Sequence, residues 1–318
     1  MPKDIDYSSV LNLISLPRIK SFSSSFGVPE TNSCELYGVY VWSQNAAASI
    51  YPLMQQLEIL LRNAVDNEAR RRFGDFWWDN IDRDNTKENW NNFNNGISKA
   101  KKDLEKNWKN IEKNKLGLSS SDSLPPTSVP PCFSHDDIVA ATDFGTWMFI
   151  LIDSYYTNDL SKQKDFLWPR SMSKVFKKYS VFNKKPDQAR ADILNSLNEI
   201  RKYRNRLFHH DCIWIKTKSN DTLSSIETIR HKINLIERLI ECISPITLVA
   251  LKTWGVFNNA RRICSKNEFE IYTNIDISSS LDNKDMDVLN KICSPAINEL
   301  KSIPVVINDN TMLIYRMR

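Results

Sequence analysis

Residues 204–211 contain the side chains of this sequence that are best suited to chemistry. The segment reads Arg-Asn-Arg-Leu-Phe-His-His-Asp and holds two of the four histidines in the 318-residue chain. Histidine titrates near neutral pH and can therefore accept or release a proton. Arginine keeps its charge and can bind two phosphate oxygens at once. Arg204 and His209 would suit metal-free RNA cleavage, in which the 2′-OH attacks the adjacent phosphate, His209 moves a proton and Arg204 stabilises the developing charge.

A helix over residues 187–209 is predicted to position this segment. Its apolar residues follow one another at steps of four and three up to Ile200, and Arg204 takes the next position in the stripe. Because an unpaired guanidinium is costly to bury, Arg204 needs a partner. The partner is either a carboxylate, for which Glu58 and Glu68 are candidates, or a bound anion.

Arg204 and His209 do not share a face of a regular helix. Five residues separate them, which corresponds to about 140° around the axis and about 7.5 Å along it. Asn205 precedes His209 by four residues and can orient its imidazole, and Arg206 and His210 have the same spacing on another face. Either the helix frays at His209, or a groove or a second subunit brings the two groups together.

The basic charge of the chain is concentrated just before this segment. Residues 160–206 contain 13 Lys and Arg against four Asp and Glu, a net charge of +9, whereas the whole chain carries +5. The remainder therefore sums to −4. Such a block indicates either a surface for a polyanion or a solvated helical face.

Glycine is scarce, with seven residues in 318. Folds that bind phosphate with Gly-rich loops are excluded, because neither the G-x-G-x-x-G motif nor the G-x-x-x-x-G-K-[ST] motif occurs. Barrels and sandwiches are disfavoured because their turns need glycine. The pattern predicts an all-α protein, with further helices over residues 35–74, 87–114, 146–156 and 222–254, and short ones within 160–182.

Several local signals delimit these elements. The first helix is expected to break or kink near Pro52, where a new helix would begin. Residues 117–131 are predicted to form a loop, and Ser134 with Asp137 marks the next helix start. Short strands are predicted in the tail over residues 269–272, 305–307 and 312–315.

The domain organisation follows from these elements. We expect an N-terminal arm over residues 1–35, a helical domain over 36–265 and a C-terminal extension over 266–318. The first residues lack the apolar region of a signal peptide. The longest apolar run, residues 144–152, is about half of the ~20 residues that span a bilayer. No Cys-x-x-Cys occurs, so we expect a cytoplasmic protein with no metal, no other cofactor and no membrane attachment.

Three ordered segments resemble the HEPN domains of the Abi-like abortive-infection family. Residues 204–211 resemble the family's R-x(4–6)-H motif, in which a polar residue, typically Asn, follows the arginine. Residues 57–64, followed by Phe73-Gly74 and Trp77-Trp78, are similar to its early helix and the exit from that helix. Residues 142–147, Thr-Asp-Phe-Gly-Thr-Trp, resemble its FGxW helix start. The resemblance covers about residues 40–215.

The resemblance implies a HEPN-type helical bundle that forms a homodimer, with two R-x(4–6)-H motifs meeting in a cleft. It also implies a metal-independent endoribonuclease that acts as an antiphage effector or toxin, with RNA as substrate and an antitoxin protein or RNA as a candidate partner. Arg204 and His209 would be catalytic, and Asn205 would support them. A non-catalytic RNA-binding or sensor module is the alternative interpretation.

Other residues are assigned supporting roles. Candidates for RNA binding are Arg201, Lys202, Arg206 and His210. Glu58 and Arg62 are candidates for structural support, since no histidine follows Arg62 at the motif spacing. The family usually continues His-His-Glu-Pro, whereas Asp211-Cys212 stands here, so His210 either contacts RNA or caps the helix. Some HEPN toxins carry a tyrosine two residues after the motif histidine, which a partner nucleotidyltransferase modifies. Asp211 occupies that position here.

Overall fold

The computed structural model describes residues 6–219, 221–273, 287, 290, 291, 293, 294, 303–307 and 310–314. Within that part α-helices predominate, which confirms the predicted all-α class. The helices are α1 (Ser8–Ile14), α2 (Leu16–Phe26), α3 (Ser33–Phe73), α4 (Asn92–Lys115), α5 (His135–Ala141), α6 (Phe144–Phe149), α7 (Met172–Val175), α8 (Pro186–Phe208), α9 (Thr222–Ile243), α10 (Pro245–Thr253), α11 (Val256–Ile263) and α12 (Lys266–Thr273). None of the described helices combines the length and apolar character that crossing a bilayer requires.

The described residues of the C-terminal segment include two strands. They are β1 (Ile303–Ile307) and β2 (Asn310–Ile314), which pair with each other in antiparallel orientation. The strands predicted over residues 305–307 and 312–315 are therefore confirmed for the described residues, and Tyr315 lies outside them.

The strand predicted over residues 269–272 is wrong, because this segment lies within α12. Phe269 and Tyr272 are buried on one face of that helix, and Phe269 stacks on Phe26 with ring centroids 5.0 Å apart. The chain divides into two compact units, the first of which ends at Thr273. α12 belongs to this first unit, whereas the C-terminal extension was predicted to begin at residue 266.

α3 is the long central helix of the first unit. It packs against α2, α6, α7, α9, α11 and α12. A buried row of apolar side chains runs along it: Leu36, Val39, Trp42, Ala46, Ile50, Leu53, Leu57, Leu61 and Val65. Each large side chain in such a row contributes about 1.5–3 kcal/mol when it is buried, so α3 is a firm support for Glu58 and Arg62.

The break expected at Pro52 does not occur, since α3 continues through this residue. Proline lacks the N–H that would bond to the carbonyl of Ala48. Both residues are exposed, so water can reach that carbonyl. Ile50 and Leu53, which flank Pro52, are fully buried and keep the helix packed on the core.

The N-terminal segment, predicted as an arm, contains α1 and α2. Phe22 and Phe26 of α2 lie four residues apart and are buried. Phe26 contacts Trp42 and Trp214 at ring-centroid distances of 5.5 and 4.7 Å. Serines occupy the three positions between the two phenylalanines, and their abundance concealed this apolar face.

Two predicted helices are shorter than expected. The one predicted over residues 146–156 is α6, which begins two residues earlier and ends at Phe149. The one predicted over residues 222–254 is divided into α9 and α10. Ser244 leaves the helical conformation and caps α10, whose first residue is Pro245.

Other helix predictions are confirmed. The helix predicted over residues 87–114 is α4, which begins five residues later than expected, at Asn92, and that predicted over 187–209 is α8. α5 begins with the predicted signal, a capping box in which the Ser134 hydroxyl accepts from the Asp137 N–H and the Asp137 carboxylate accepts from the Ser134 N–H at 3.0 Å.

Candidate functional site

Arg204 lies on α8 between two cavities. The first, between α4, α6 and α8, measures about 430 Å³ and is called the Arg204 cleft here. The second, between α3 and the end of α8, measures about 230 Å³ and is called the Tyr51 groove. Arg204 lines both of them, and 32% of its side chain is exposed. Arg204 is thus half-buried, and the two cavities give its side chain access to solvent on two sides.

Segments that are distant in sequence meet at these cavities. The Arg204 cleft is lined by Asn92, Asn95, Gly96 and Lys99 of α4, by Asp143, Phe144, Gly145, Thr146 and Phe149 at α6, and by Arg201, Arg204 and Asn205 of α8. The Tyr51 groove is lined by Tyr51, Met54, Gln55, Glu58, Ile59, Arg62, Arg204 and Phe208. The three segments singled out in the sequence therefore all contribute to the surroundings of one arginine.

Arg204 is held by contacts that leave hydrogen-bonding capacity unused. Its Nη2 lies 3.9 Å from Oε2 of Glu58, which is an ion pair but too long for a hydrogen bond. Its guanidinium lies over the ring of Phe208, 4.4 Å from the centroid. Within the described residues its buried Nε has no hydrogen-bond partner. An unpaired buried donor costs about 1–3 kcal/mol, so the fold holds Arg204 in this position at a cost in stability.

The structure selects Glu58 from the two carboxylates considered for Arg204. Glu68 accepts instead from Arg71, at 2.7 and 2.9 Å. Arg62 donates to two carbonyls at the end of α5, at 3.3 and 3.1 Å, and so joins α3 to α5. Arg62 therefore makes structural contacts, while Glu58 positions Arg204.

The Arg204 cleft carries more positive than negative charge. Its lining contains Lys99, Arg201 and Arg204 against Asp143. Asp143 caps α6 and lies 3.5 Å from Lys99. Burial raises the pKa of Asp143, but hydrogen bonds from the N–H and hydroxyl of Thr146, with the charge of Lys99, outweigh it and lower the pKa below its usual value. Asp143 is therefore ionised at neutral pH, and the cleft keeps a net positive charge.

Gly96 allows α4 and α6 to approach each other at the wall of the cleft. A Cβ atom at Gly96 would lie 2.4 Å from Oγ1 of Thr146 and 2.9 Å from its Cβ. Such distances are too short for any side chain, so this position in α4 requires glycine. In a chain with few glycines, a glycine inside a helix was the signal that could have located this contact.

His209 lies at the end of α8, outside both cavities. Its N–H donates to the carbonyl of Asn205 at 2.9 Å. Both side chains are exposed, and within the described residues neither the imidazole nor the amide has a hydrogen-bond partner. Asn205 lines the Arg204 cleft and His209 does not, so in the described part of one chain Arg204 and His209 do not share a cavity.

The turn after α8 is tight and places His210 in an unusual conformation. The N–H of His210 donates to the carbonyl of Leu207 at 3.2 Å, and the N–H of Asp211 donates to that of Arg206 at 2.9 Å. This is the Schellman pattern, in which the residue in the left-handed region is usually glycine. His210 has φ +54° and takes that place, so the backbone of a residue other than glycine is strained at this position.

The other residues predicted to bind RNA fall into different surroundings. Arg206 donates to Asp211 at 3.2 Å and to the carbonyl of Trp214 at 2.8 Å, so it stabilises the turn. His210 lines a small pocket of about 30 Å³ against α2 and α3. Lys202 is exposed on α8. Arg201 lines the Arg204 cleft, as noted above.

The basic block of residues 160–206 is also divided. Arg190 is buried and bonded to Asp153, and Lys178 pairs with Glu241. Other lysines of the block line a cavity of their own, described below. The residues of this block therefore lie in several different environments, and the Arg204 cleft is only one of them.

Sequence reasoning assigned no role to Lys99 or Tyr51. Lys99 lies three residues after Gly96 on α4, so the helical spacing from that glycine could have indicated it. Tyr51 is exposed beside Pro52, and its ring contacts Phe208 at a centroid distance of 5.5 Å. Nothing in the local sequence joins these positions to α8, because the contacts are tertiary.

Within the described residues, no group of three or more His, Cys, Asp or Glu side chains is placed to hold a metal ion. Comparison of the chain with protein-family models, with curated proteins and with solved structures finds no match.

Proposed function

We propose that the chain is a metal-independent endoribonuclease that acts as an antiphage effector or toxin. One observation carries the proposal: Arg204 is fixed between two cavities by Glu58 and Phe208, while its buried Nε has no partner among the described residues. A phosphate of the RNA backbone accepts hydrogen bonds from this guanidinium. Charge-assisted bonds of this kind are stronger than neutral ones.

The reaction uses the 2′-OH of the substrate as nucleophile. A bond forms between the 2′ oxygen and phosphorus, and the bond from phosphorus to the 5′ oxygen breaks. His209 serves as the base that takes the 2′-OH proton or as the acid that protonates the leaving 5′ oxygen, and water takes the other of these two roles. Arg204 stabilises the charge that develops on the non-bridging oxygens. DNA lacks the nucleophile and is not cleaved.

The active site is composed of two copies of the chain in this proposal. In a regular helix Arg204 and His209 would lie about 140° apart; in the structure His209 follows the last residue of α8 and lies outside both cavities that Arg204 lines. A homodimer allows His209 of one copy to approach the Arg204 cleft of the other. Asn205, at the edge of the cleft, supports the pair.

The charge of the cleft favours a polyanion. Lys99 and Arg201 accompany Arg204, and the exposed Lys202 extends the positive surface along α8. Phosphate contacts release counterions, so the affinity for RNA falls as salt rises. In cells, an antitoxin protein or RNA would restrain such an enzyme.

A second candidate function belongs to a different class. The position of His209 outside the Arg204 cleft favours a non-catalytic RNA-binding or sensor module, in which Arg204 binds phosphate and no bond is broken. The two candidates differ in whether His209 matters, since binding by Arg204 alone does not need an imidazole.

Incubation of total RNA with the purified protein in EDTA tests the proposal. Wild type is compared with Arg204→Ala and His209→Ala, and His231→Ala is the matched control because His231 is also exposed and lies on α9. We expect cleavage by wild type and by the control, and a loss of at least a hundredfold in the other two. Equal RNA survival with wild type and His209→Ala contradicts the nuclease, and activity that EDTA abolishes contradicts the mechanism.

Mixing the two inactive variants tests the composite site. A mixed dimer of Arg204→Ala and His209→Ala contains one intact Arg204 facing one intact His209, so activity returns if the site spans two copies. Sedimentation of the active protein as a monomer contradicts this arrangement. Binding of RNA that depends on Arg204 but never leads to cleavage supports the sensor module.

A further inference from the structure

A further cavity lies on the opposite face of α3 from Arg204. It measures about 620 Å³ and is bounded by α3, α7 and the junction of α9 and α10. Asn67 lines it, and Glu58 lines the Tyr51 groove. Nine residues separate these two positions, which corresponds to two and a half turns of helix, so the two residues lie on opposite sides of α3. The proposed nuclease makes no use of this cavity.

Two lysines of the basic block face this cavity. Lys174 and Lys177 are exposed, and within the described residues neither has an ion pair or a hydrogen bond from its ammonium group. A carboxylate, Glu68, also lines the cavity, but both of its oxygens accept from Arg71. The lining therefore contains three cations and one carboxylate, a net charge of +2. A site with two free ammonium groups attracts a compact anion.

The charge of Glu68 remains compensated over the working pH range. Burial raises the pKa of Glu68, but hydrogen bonds from Arg71 and from the Ser171 hydroxyl, together with the charges of Arg71 and Arg72, lower it below the usual value. Glu68 is consequently ionised and committed to Arg71, so it does not draw Lys174 or Lys177 away from a ligand.

An apolar floor lies beside the lysines. Leu60 and Ala64 of α3, both half-buried, present apolar surface to the cavity, and Val175 and Ile243, which are almost completely buried, complete the apolar lining. Such a surface accommodates a flat ring or another apolar group. An inorganic anion would leave the floor in contact with water.

Two amides form the rim of the cavity on α3. Asn63 and Asn67 lie four residues apart on one helical face, and both are exposed. An amide offers a donor and an acceptor together, which matches the polar edge of a nucleobase. α10 also begins at the cavity with Ser244, and the positive end of its helix dipole adds to the attraction for an anion.

We propose that this cavity binds a ribonucleoside monophosphate. Lys174 and Lys177 bind the phosphate, the base lies on the floor, and Asn63 with Asn67 bonds to the edge of the base. The volume lies within the range of about 300–1,000 Å³ that is usual for small-molecule sites. A fatty acid could also bind the lysines and the apolar floor, but its alkyl chain has no polar group for Asn63 and Asn67. A nucleotide makes contacts with all three parts of the lining.

Isothermal titration of the full-length protein tests the site. The probes are the four ribonucleoside monophosphates and inorganic phosphate, each at the same ionic strength. We expect at least one nucleotide to bind, and Lys174→Gln/Lys177→Gln to raise its Kd at least tenfold. Lys101→Gln/Lys102→Gln is the matched control, because it removes two exposed charges from α4 and leaves the cavity intact. Circular dichroism verifies that each variant is folded.

Further variants separate this site from the nuclease. Asn63→Leu/Asn67→Leu is expected to weaken the nucleotide and to leave phosphate unaffected, and Arg204→Ala is expected to bind the nucleotide as wild type does. The proposal is overturned if no nucleotide binds, if phosphate binds as tightly as every nucleotide, or if the lysine double variant binds normally. Loss of binding in Arg204→Ala overturns it as well, since it places the ligand in the Arg204 cleft.

Discussion

The guanidinium of Arg204 lies over the ring of Phe208, one helical turn further along α8, with 4.4 Å between the guanidinium carbon and the ring centroid. The ring of Phe208 in turn contacts that of Tyr51 on α3. Both rings are exposed, at 43% and 49%. Exposed aromatic rings next to a cation are suited to stacking on unpaired bases, so in the proposed nuclease Arg204 would bind a phosphate and the two rings would bind a neighbouring base.

Replacement of Phe208 by alanine is expected to weaken RNA binding by roughly two- to fivefold. The change removes a cation–π contact worth about 0.5–1 kcal/mol at an exposed site and leaves Arg204 free to turn away. Fluorescence anisotropy with a labelled single-stranded RNA measures the effect. Phe208→Tyr keeps the ring and is expected to bind as wild type does, so an alanine variant with unchanged affinity would refute the role of the ring.

Replacement of Gly96 by alanine is expected to destabilise the protein by roughly 1–3 kcal/mol, as overpacking usually does. In a helix interior this change is normally favourable by about 1 kcal/mol, but here the new Cβ would lie 2.4 Å from Oγ1 of Thr146. Urea denaturation measures the free energy of unfolding. Ser98→Ala, on the exposed side of α4, is the control and should change it little. A stabilised Gly96→Ala would show that α4 and α6 are not in close contact.

The sequence was informative where local periodicity determines the outcome. The extent of α8 and the place of Arg204 at the edge of its apolar stripe both follow from a repeat of 3.6 residues. The angle between Arg204 and His209 follows from the same repeat, and His209 indeed lies outside the cavities that Arg204 lines. Glu58 was one of two carboxylates considered for Arg204, and only the packing of α3 against α8 decides between them.

Tertiary packing determines the features that the sequence did not predict. The aromatic and β-branched residues of α12 favour a strand locally, but burial of Phe269 against Phe26 selects a helix, because propensity is weaker than packing. Lys99 and Tyr51 reach the surroundings of Arg204 from α4 and α3, which no local pattern relates to α8. Strain at His210 was hidden for a similar reason, since it depends on the turn that Arg206 and Asp211 close.

Asp143 is expected to make the stability of the protein depend on pH in the acid range. Its pKa is lowered in the folded state from the ordinary value of 3.8. The ionised carboxylate therefore stabilises the fold above pH 3.8, and this contribution is lost as the pH falls from there through the lower folded value. Because about half of the side chain is exposed, the effect is small, roughly 0.5 kcal/mol.

Asp143→Asn isolates that contribution, because asparagine caps a helix about as well as aspartate but carries no charge. Unfolding free energies at pH 3, 4, 5 and 7 should fall more steeply for wild type than for this variant between pH 4 and 3. Asp143→Ala also removes the cap and is expected to be less stable by about 1 kcal/mol at every pH. Parallel curves for wild type and Asp143→Asn would contradict the assignment.

His210→Gly is expected to be more stable than His210→Ala by about 1 kcal/mol. Position 210 has φ +54°, a conformation that glycine adopts without cost and that costs other residues about 1–2 kcal/mol, part of which the greater freedom of unfolded glycine offsets. Both variants lack the imidazole, so the difference in their unfolding free energies reports the backbone strain less the entropy that unfolded glycine gains. Equal stability would contradict the strained turn. RNA cleavage separates the two roles considered for His210: equal losses in both variants indicate that the ring contacts RNA, whereas full activity in the glycine variant shows that the residue serves the turn alone.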